Sequence, residues 1–349
     1  MFEIKIQDRL FHFKKPAGTS RGVYTTRHSY FIRLVNEEEK PGVVGIGECA
    51  TLPDLSCDTM SSDTEYKRTL LSLCNMFCMT GKINYDMFRP YPSMIFGLES
   101  ALAKYNGGGD NDFFNTPFGR GEEGIPINGL VWMGSFDEMF TRLDEKMKAG
   151  FRCVKLKIGA IDFERELDLV RHIRDNFTKE QIELRLDANG GFSPTNAMSR
   201  LEALAKYDIH SIEQPIRQHQ WKEMAEICRN SPLPIALDEE LIGVNTKSMK
   251  ESMLDTIKPQ YIILKPSLHG GMFGAEEWIK MAGQRGIGSW ITSALESNIG
   301  LDAIAQFAAK IYGPGIKMPQ GLGTGMLFTD NIDMNLSIKE NKLWKLTNS

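Results

Sequence analysis

The segment that decides the fold is Cys153-Val-Lys-Leu-Lys-Ile-Gly159, followed about thirty residues later by Glu183-Leu-Arg-Leu-Asp-Ala-Asn-Gly190. Each stretch alternates apolar and polar residues, which is typical of a β-strand. Between them lies a run whose apolar residues recur at helical spacing, namely Phe163, Leu167, Val170 and Ile173. The segment therefore predicts a strand, a helix and a second strand, the unit from which parallel sheets are built.

The same unit repeats through the last two thirds of the chain. Candidate strands begin near residues 125, 153, 183, 209, 234, 261 and 288, with a weaker one near 316. Seven or eight such units fit a closed (β/α)8 barrel of the TIM type, whose usual size is about 250 residues. A doubly wound sheet is the alternative, but it usually has fewer strands and a Gly-rich first turn. No GxGxxG follows the first strand, so the repeat favours the barrel, an α/β fold.

The first third of the chain has a different pattern. Alternation predicts antiparallel strands over 2–14, 28–35 and 43–49, and periodicity predicts helices over 62–80 and 92–105. The small-residue segment 16–22 is expected to be a loop long enough to move.

Strands followed by helices, without alternation, indicate an α+β domain. The change of pattern predicts a domain of residues 1–124, with 325–349 as a candidate completion, and a barrel domain of residues 125–324.

Composition excludes several classes of protein. The 349 residues include 41 Lys+Arg and 45 Asp+Glu, for a net charge of −4, and 42% are hydrophobic. This is an ordinary globular balance without the basic excess of a nucleic-acid binder. No apolar run is long enough for a membrane helix, the charged N-terminus is unlike a signal or transit peptide, and six cysteines form no CxxC pair. We therefore expect a cytoplasmic protein with a small-molecule partner and no nucleic-acid or membrane partner.

Charged and polar residues end the predicted barrel strands in phase. They are Lys157, Asp187, Glu213, Asp238, Lys265 and Ser293, at intervals of 30, 26, 25, 27 and 28 residues. Because these intervals follow the βα repeat, all six should meet at the C-terminal mouth of the barrel, where active sites lie. Burying unpaired charges is costly, so a ring of them indicates a functional site rather than separate salt bridges.

Three of these residues suggest a metal site. Asp187, Glu213 and Asp238 would come from adjacent strands, and a divalent cation would relieve the repulsion between their carboxylates. Oxygen ligands without His or Cys favour Mg²⁺, with Mn²⁺ as the alternative.

Lysines would stand on either side of that cation. Lys157 and Lys265 are predicted on opposite walls, with Lys155 beside Lys157. A nearby cation and a second lysine disfavour the charged form of Lys157, so it could remove a proton next to a carboxylate. A Schiff-base lysine is the chemical rival, but it does not account for three carboxylates.

Five motifs, in this order and spacing, resemble the enolase superfamily: Lys155-Leu-Lys157, Asp187-Ala-Asn189, Ile212-Glu-Gln-Pro215, Leu237-Asp-Glu239 and Leu264-Lys-Pro266. The two lysine motifs are similar to those of its muconate-lactonizing subgroup. Three further stretches look most like the o-succinylbenzoate synthases of menaquinone biosynthesis: Phe96-Gly-Leu-Glu-Ser-Ala101, Ile127-Asn-Gly-Leu-Val-Trp-Met-Gly134 and Gly321-Leu-Gly-Thr-Gly-Met-Leu-Phe328. The resemblance implies an enolase-type barrel with an N-terminal α+β capping domain.

The resemblance also implies an activity. It is that of a Mg-dependent carbon–oxygen hydro-lyase, which dehydrates 2-succinyl-6-hydroxy-2,4-cyclohexadiene-1-carboxylate to 2-succinylbenzoate through an enediolate. Lys157 would be the general base and acid, Lys265 the cation on the opposite face, and Lys155 would tune the base. Asp187, Glu213 and Asp238 would hold the metal. Residues expected to bind substrate or support the site are Asn189, Glu239, Ser293, Ser297 and Arg21. The expectation also allows for a homo-oligomer.

Other activities share this set of residues. N-succinylamino-acid racemases and dipeptide epimerases use the same two lysines and three carboxylates. Epimerases typically carry an acidic pair on the last strand, and the stretch from Gly321 to Phe328 has none. A barrel that binds an acidic ligand without catalysis is the alternative outside enzymes, but it would not need the lysine pair.

Overall fold

The computed structural model describes residues 1–19, 22–109, 112–131, 134–159 and 162–346 of the chain. The N-terminal part is an antiparallel sheet with strand order β1-β2-β3, followed by three helices. Its elements are β1 (Glu3–Thr19), β2 (Gly22–Val35), β3 (Gly45–Cys49), α1 (Asp63–Thr80), α2 (Tyr85–Phe88) and α3 (Pro92–Asn106). The predicted strands and two helices are thus confirmed within a few residues, and the one-turn α2 was not expected.

The expected loop over residues 16–22 is wrong for most of its length. Ala17 pairs with Tyr24, and the pairing runs on to the last residues before the turn, after a register shift between His12 and Ala17. Small residues carry little strand propensity, so only the partner strand, which supplies the hydrogen bonds, makes this segment extended. Residues 20 and 21 lie outside the described residues, and the predicted substrate-binding residue Arg21 is one of them.

The rest of the chain alternates strands and helices. The strands are β4 (Ile125–Pro126), β5 (Gly129–Val131), β6 (Cys153–Lys157), β7 (Glu183–Asp187), β8 (Ser211–Glu213), β9 (Ile235–Leu237), β10 (Tyr261–Leu264), β11 (Gly288–Ile291), β12 (Leu336–Lys339) and β13 (Lys342–Lys345). The helices are α4 (Phe136–Lys148), α5 (Phe163–Asn176), α6 (Pro194–Leu204), α7 (Trp221–Asn230), α8 (Lys247–Ile257), α9 (Gly271–Gly283) and α10 (Asn298–Tyr312), with short 3₁₀ turns at Ala205–Tyr207 and Glu239–Leu241.

Strands β5 to β11 form one parallel sheet in chain order, and a short bridge closes it into a ring. Gln320 bridges Ile127 beside β5, and Gly321 bridges Thr292 just after β11. The predicted (β/α)8 barrel is therefore confirmed. Its eighth strand lies a few residues beyond the predicted start near 316 and is only a bridge long. The residues near 125, expected to begin the first barrel strand, form β4, which pairs with β13 instead.

Alternation within the strands separates core from site. On β6, Val154 and Leu156 are fully buried in the main hydrophobic cluster between sheet and helices, while Lys155 and Lys157 point into the barrel. Lower in the barrel, Ile263 and Trp290 belong to a separate interior cluster, and the guanidinium of Arg185 lies 4.3 Å from the Trp290 ring centroid. Packed side chains thus fill the lower barrel, and the charged residues stand at its C-terminal mouth.

Two buried carboxylates fasten the N-terminal part to the barrel. Glu99 on α3 accepts hydrogen bonds from the backbone N–H groups of Met272 and Phe273, at 2.5 and 3.0 Å, where α9 begins. Glu48 on β3 accepts from the backbone N–H groups of Ser297 and Gly300, at 3.0 and 2.9 Å, where α10 begins. Helix N-termini carry free N–H groups and a positive dipole end, so each carboxylate caps a barrel helix. The domain boundary near residue 124 stays a prediction.

The C-terminal residues join both parts of the molecule. The Phe328 ring packs 4.6 Å from that of Phe13, and Lys14 N–H donates to the carbonyl of Leu327 at 2.8 Å. Further along, Lys345 on β13 forms an ion pair of 2.7 Å with Asp302 on α10, and both side chains are fully buried. None of the helices in the described part of the chain has the length and apolar character that a membrane crossing requires.

Candidate active site

The ends of five consecutive barrel strands bring the predicted lysines and carboxylates together. Lys157, Asp187, Glu213 and Asp238 are 7%, 0%, 2% and 0% exposed, so the charges are almost entirely removed from water. Lys265, just after β10, forms an ion pair with Asp238. Sequence spacing alone placed these residues on one rim, and the structure brings them into contact.

Lys155 lies between two carboxylates. Its Nζ is 2.8 Å from Asp187 Oδ2, and 3.0 and 2.9 Å from the two carboxylate oxygens of Glu213. Burial lowers the pKa of Lys155, but attraction to Asp187 and Glu213 outweighs it, and the net result is a raised pKa. Lys155 is therefore held as an ammonium ion.

Lys157 has a different set of partners. Its Nζ donates to Asp187 Oδ2 at 2.9 Å and to the side-chain carbonyl of Asn189 at 2.5 Å. The Asn189 amide in turn donates to Glu239 Oε1 at 3.0 Å. Asn189 has a positive φ of 43°, which turns the chain sharply after β7 and aims this amide at both neighbours. Asn189 thus connects Lys157 to Glu239, and the supporting role predicted for both residues stays a prediction.

Lys265 is positioned from its own loop. Its backbone N–H donates to His269 Nδ1 at 2.9 Å, and its ammonium contacts Asp238. Burial lowers the pKa of His269 to about 3, so the imidazole is neutral and can accept that bond. Burial also lowers the pKa of Lys265, but the carboxylates of Asp238 and Glu239 raise it more.

The carboxylates differ in electrostatic character. Burial raises the pKa of Asp187, yet Lys155 and Lys157 reverse this and leave it well below its usual value. The pKa of Glu213 is raised, first by burial and then by the charge of Asp187. Burial likewise raises the pKa of Glu239. Four acidic side chains thus face three lysines, and the two aspartates are the ones held in the charged form.

The donor chemistry fits a hard divalent cation, although the side chains are not arranged as ligands. Among the described residues, no group of three His, Cys, Asp or Glu side chains is placed to hold a metal ion. The reason is that the Lys155 ammonium lies between Asp187 and Glu213, while Lys265 contacts Asp238. However, the three carboxylates lie at the ends of adjacent strands, and Asp238 Oδ1 is buried without a hydrogen-bond partner among the described residues. An oxygen-only cluster with an unused acceptor suits Mg²⁺.

A cavity of about 840 Å³, counting the space at its mouth, opens above these residues. The N-terminal part contributes Tyr24, Leu52 and Leu55 to its wall, so the segment after β3 does cover the site. The barrel contributes Asn128, Leu130, Lys155, Lys157, Asp187, Asn189, Glu239, Lys265, Thr292, Ser293, Ala294, Leu295, Gly321, Gly323 and Thr324. Glu213 and Asp238 are not part of this wall.

The two predicted serines lie in different places. Ser293 lines the cavity, and its hydroxyl is 2.6 Å from that of Thr324. Ser297 does not line it: its hydroxyl donates to Glu48 at 2.6 Å and caps the first turn of α10. The structure therefore leaves Ser297 a structural contact between β3 and α10 rather than a position beside a substrate.

Gln214 is a supporting residue that sequence reasoning did not single out, although it lies within a quoted motif. It is fully buried with a positive φ of 42°, and its side-chain carbonyl accepts from the backbone N–H groups of Asp238 and Glu240, both at 3.2 Å. It thereby fixes the end of β9 against the end of β8. Asn128, Thr324 and Tyr24 were also missed, because nothing in local spacing marks them as facing the site.

Comparisons with known proteins agree with this geometry. The family described as "Enolase C-terminal domain-like" matches residues 138–323, which is more than half of the chain. The chain belongs to the enolase superfamily. The predicted resemblance is thereby confirmed, and within the superfamily the similarities are uneven.

An o-succinylbenzoate synthase from Desulfotalea psychrophila is 47% identical over 93% of this chain and 94% of its own length. The crystal structure of MenC from the same organism superposes with a TM-score of 0.82 at 41% identity, covering 98% of this chain and 99% of that one. An L-amino acid-D/L-Glu epimerase from Francisella philomiragia is 30% identical, but over only 50% of this chain and 48% of its own. The sequence similarity to the synthase thus extends over both parts of the molecule, whereas the sequence similarity to this epimerase covers half of the chain.

Proposed function

We propose that this protein has o-succinylbenzoate synthase activity: it dehydrates 2-succinyl-6-hydroxy-2,4-cyclohexadiene-1-carboxylate to 2-succinylbenzoate. The observation that carries the proposal is that Lys157 and Lys265, at the ends of β6 and β10, line one cavity beside a buried carboxylate cluster. The full-length similarity to a synthase supports it. An N-terminal segment that covers the cavity would keep water from the reacting atoms.

Asp187, Glu213 and Asp238 would hold a Mg²⁺ ion. When bound, this ion supplies positive charge that stabilises the electrons released onto the substrate carboxylate after the α-proton is removed. Asn189 and Glu239 would support this edge of the site through their mutual hydrogen bond.

Lys157 would take the proton from the carbon next to the ring carboxylate, using its neutral amine. The same group, now an ammonium, would return a proton to the departing hydroxyl, so that water leaves from the same face. Lys155 is unsuited to this task because two carboxylates hold it in the charged form. Lys265, on the opposite side, would remain charged and favour the developing anion and the aromatic ring.

The finer assignments rest on the resemblance. We propose Mg²⁺ rather than Mn²⁺ as the metal, a role in menaquinone biosynthesis and a cytoplasmic location. Restored menaquinone synthesis in a bacterium lacking its own synthase would support the pathway. An absence of rescue by an expressed, folded protein would contradict it.

The activity is tested with purified protein, Mg²⁺ and the cyclohexadiene substrate. We expect formation of 2-succinylbenzoate that stops on chelation and resumes when Mg²⁺ is returned. Parallel incubation of N-succinylamino acids in deuterated water measures α-proton exchange. Rapid exchange with negligible dehydration would overturn the proposal in favour of a racemase, and neither reaction would favour a binding protein.

A further inference from the structure

Asn128 is a largely buried polar residue whose side chain has no assigned task. It is 6% exposed, lines the cavity, and uses its backbone N–H to bond the carbonyl of Gln320 at 3.0 Å. Its side-chain amide makes no hydrogen bond to any part of the chain that the structure describes. Because the residue lines the cavity, this amide is available to a bound ligand.

Strand register fixes the side of the sheet to which Asn128 points. Leu264 pairs with Ile291, so Lys265 is in register with Thr292, and Thr292 bridges Gly321. Because Gln320 bridges Ile127, the next pair of residues, Gly321 and Asn128, is also in register. Residues in register on parallel strands point to the same side of the sheet. Asn128 therefore faces the interior, as Lys265 does, although it precedes its own strand.

Asn128 also stands across the barrel from the carboxylates. In a ring of eight, the strand that Asn128 leads into, β5, is four positions from β9, which ends at Asp238. The segment at 320–321 is likewise four positions from β8, which ends at Glu213. A substrate whose ring carboxylate lies at the carboxylate cluster would thus direct its other polar groups toward Asn128.

A second polar group lies on the same wall. The hydroxyls of Ser293 and Thr324 are 2.6 Å apart and both residues line the cavity. One hydroxyl donates to the other, which leaves one O–H proton without a partner within the described ranges of the chain. The wall opposite the metal ligands therefore offers uncharged donors and no lysine or arginine among its described residues.

We propose that the Asn128 amide, with the Ser293–Thr324 hydroxyl pair, forms the subsite that binds an oxygen of the substrate's succinyl side chain. This inference rests on the proposed function and specifies how its substrate is held. The succinyl chain carries a ketone and a carboxylate, and amide N–H and hydroxyl groups can donate to either. Asn128 is thus assigned to substrate specificity and not to proton transfer.

The test measures ligand affinity of the Mg²⁺-loaded protein by calorimetry. The ligands are 2-succinylbenzoate, 2-acetylbenzoate, which keeps the ketone, and benzoate, which lacks the side chain. We expect Asn128→Leu to weaken 2-succinylbenzoate about tenfold and to leave benzoate within twofold, since one good hydrogen bond is lost. If Asn128→Leu weakens 2-acetylbenzoate as much as 2-succinylbenzoate, the amide binds the ketone oxygen. If the affinity for 2-acetylbenzoate is unchanged, the amide binds the carboxylate of the side chain.

Two further variants serve as a control and as a substitute. Leu130→Ala changes the neighbouring inward position without removing a hydrogen bond, so it should weaken all three ligands alike. Asn128→Ser replaces Asn128→Leu if the latter does not melt cooperatively. Equal effects of Asn128→Leu on 2-succinylbenzoate and benzoate, or no effect on either, would overturn the subsite. A wild-type protein that fails to dehydrate the substrate would instead overturn the proposed function.

Discussion

At the scale of single residues, the structure separates two lysines that sequence could only place side by side. Lys155 contacts the carboxylates of both Asp187 and Glu213, whereas Lys157 contacts one carboxylate and the amide oxygen of Asn189. Two counter-ions hold Lys155 charged and raise its pKa. Of the two lysines on β6, only Lys157 is without a second carboxylate contact in the described part of the chain, which favours it over Lys155 as the base that we propose.

This difference predicts distinct kinetic losses. Lys157→Ala should lower kcat by about 10²–10⁴-fold, because general acid–base catalysis is worth that much. Lys155→Met should mainly disturb metal and substrate affinity. Stopped-flow dehydration and α-proton exchange at saturating Mg²⁺ separate the two effects. Unimpaired proton exchange in Lys157→Ala, with melting equal to wild type, would contradict the assignment.

The site residues show where sequence reasoning succeeds. Charges at the ends of β6 to β10 follow the βα repeat, so spacing alone brought Lys157, Asp187 and Lys265 to one rim. Asn128 was not predicted as a site residue. It precedes β5, and it comes into register with the site residues only through the stagger between strands around the closed barrel. That stagger is a property of ring closure and leaves no local signal. Ser297 was predicted to bind substrate, but its hydroxyl caps α10 instead. A serine suits either role, so the sequence alone does not distinguish them.

At the scale of elements, the barrel was predictable because its period is regular. The N-terminal sheet was less so, since the extension of β1 over residues 17–19 and of β2 over residues 22–24 depends on pairing between them. The docking of β3 and α3 on the barrel was not predictable at all. Glu48 and Glu99 look like ordinary charged residues until the helix N-termini that they cap are known.

Glu99 gives this docking a dependence on pH. Burial raises the pKa of Glu99 to about 8, from an ordinary value of 4.5. The folded protein then retains a proton that the unfolded chain has lost between these pH values, so the free energy of unfolding should fall as pH rises from about 5 to 8. Urea unfolding of wild type and Glu99→Gln between pH 5 and 8 measures this change in the free energy of unfolding.

The comparison concerns the slope with pH, because Glu99→Gln also weakens one of the two caps at every pH. We expect the free energy of unfolding to fall less steeply with pH in Glu99→Gln than in wild type. Glu226→Gln, at an exposed position on α7, is the matched control and should keep the wild-type slope. Parallel curves for wild type and Glu99→Gln would show that Glu99 is ionised throughout.

At the scale of the whole molecule, buried charge is the dominant feature. The acidic cluster sets four acidic side chains against three lysines, and the Lys345–Asp302 pair is a second buried ionic contact, outside the cavity wall. Such arrangements are costly to desolvate, so each should respond strongly when one partner is removed.

Binding of a metal ion to the acidic cluster should stabilise the entire fold. Saturating Mg²⁺ at about a hundred times its dissociation constant would add about 2.7 kcal/mol to the free energy of unfolding. We expect a higher Tm in Mg²⁺ than in Na⁺ of equal ionic strength, and most of this gain should be absent in Asp238→Asn. An equal Mg²⁺ shift in Asp238→Asn would exclude Asp238 as a ligand.

The Lys345–Asp302 ion pair predicts a loss of stability in a single variant that a second substitution reverses. Lys345→Met should destabilise the fold by about 3–5 kcal/mol, because Asp302 would be left charged and fully buried. Lys345→Met combined with Asp302→Leu should recover most of this loss, as apolar pairs often match buried ion pairs. Denaturant melts of wild type, Lys345→Met, Asp302→Leu and the double variant test this, and additive losses in the double variant would contradict the pairing.

The pairing of β4 with β13 bears on how the protein is made. The ribosome completes Ile125 long before its partner Leu343 exists, and at about 5–20 residues per second the delay is about 10–40 s. Throughout translation of the barrel, β4 has an open edge and Asp302 has no counter-ion. A chain truncated before β13 would retain every strand of the barrel ring but would leave β4 unpaired on this side.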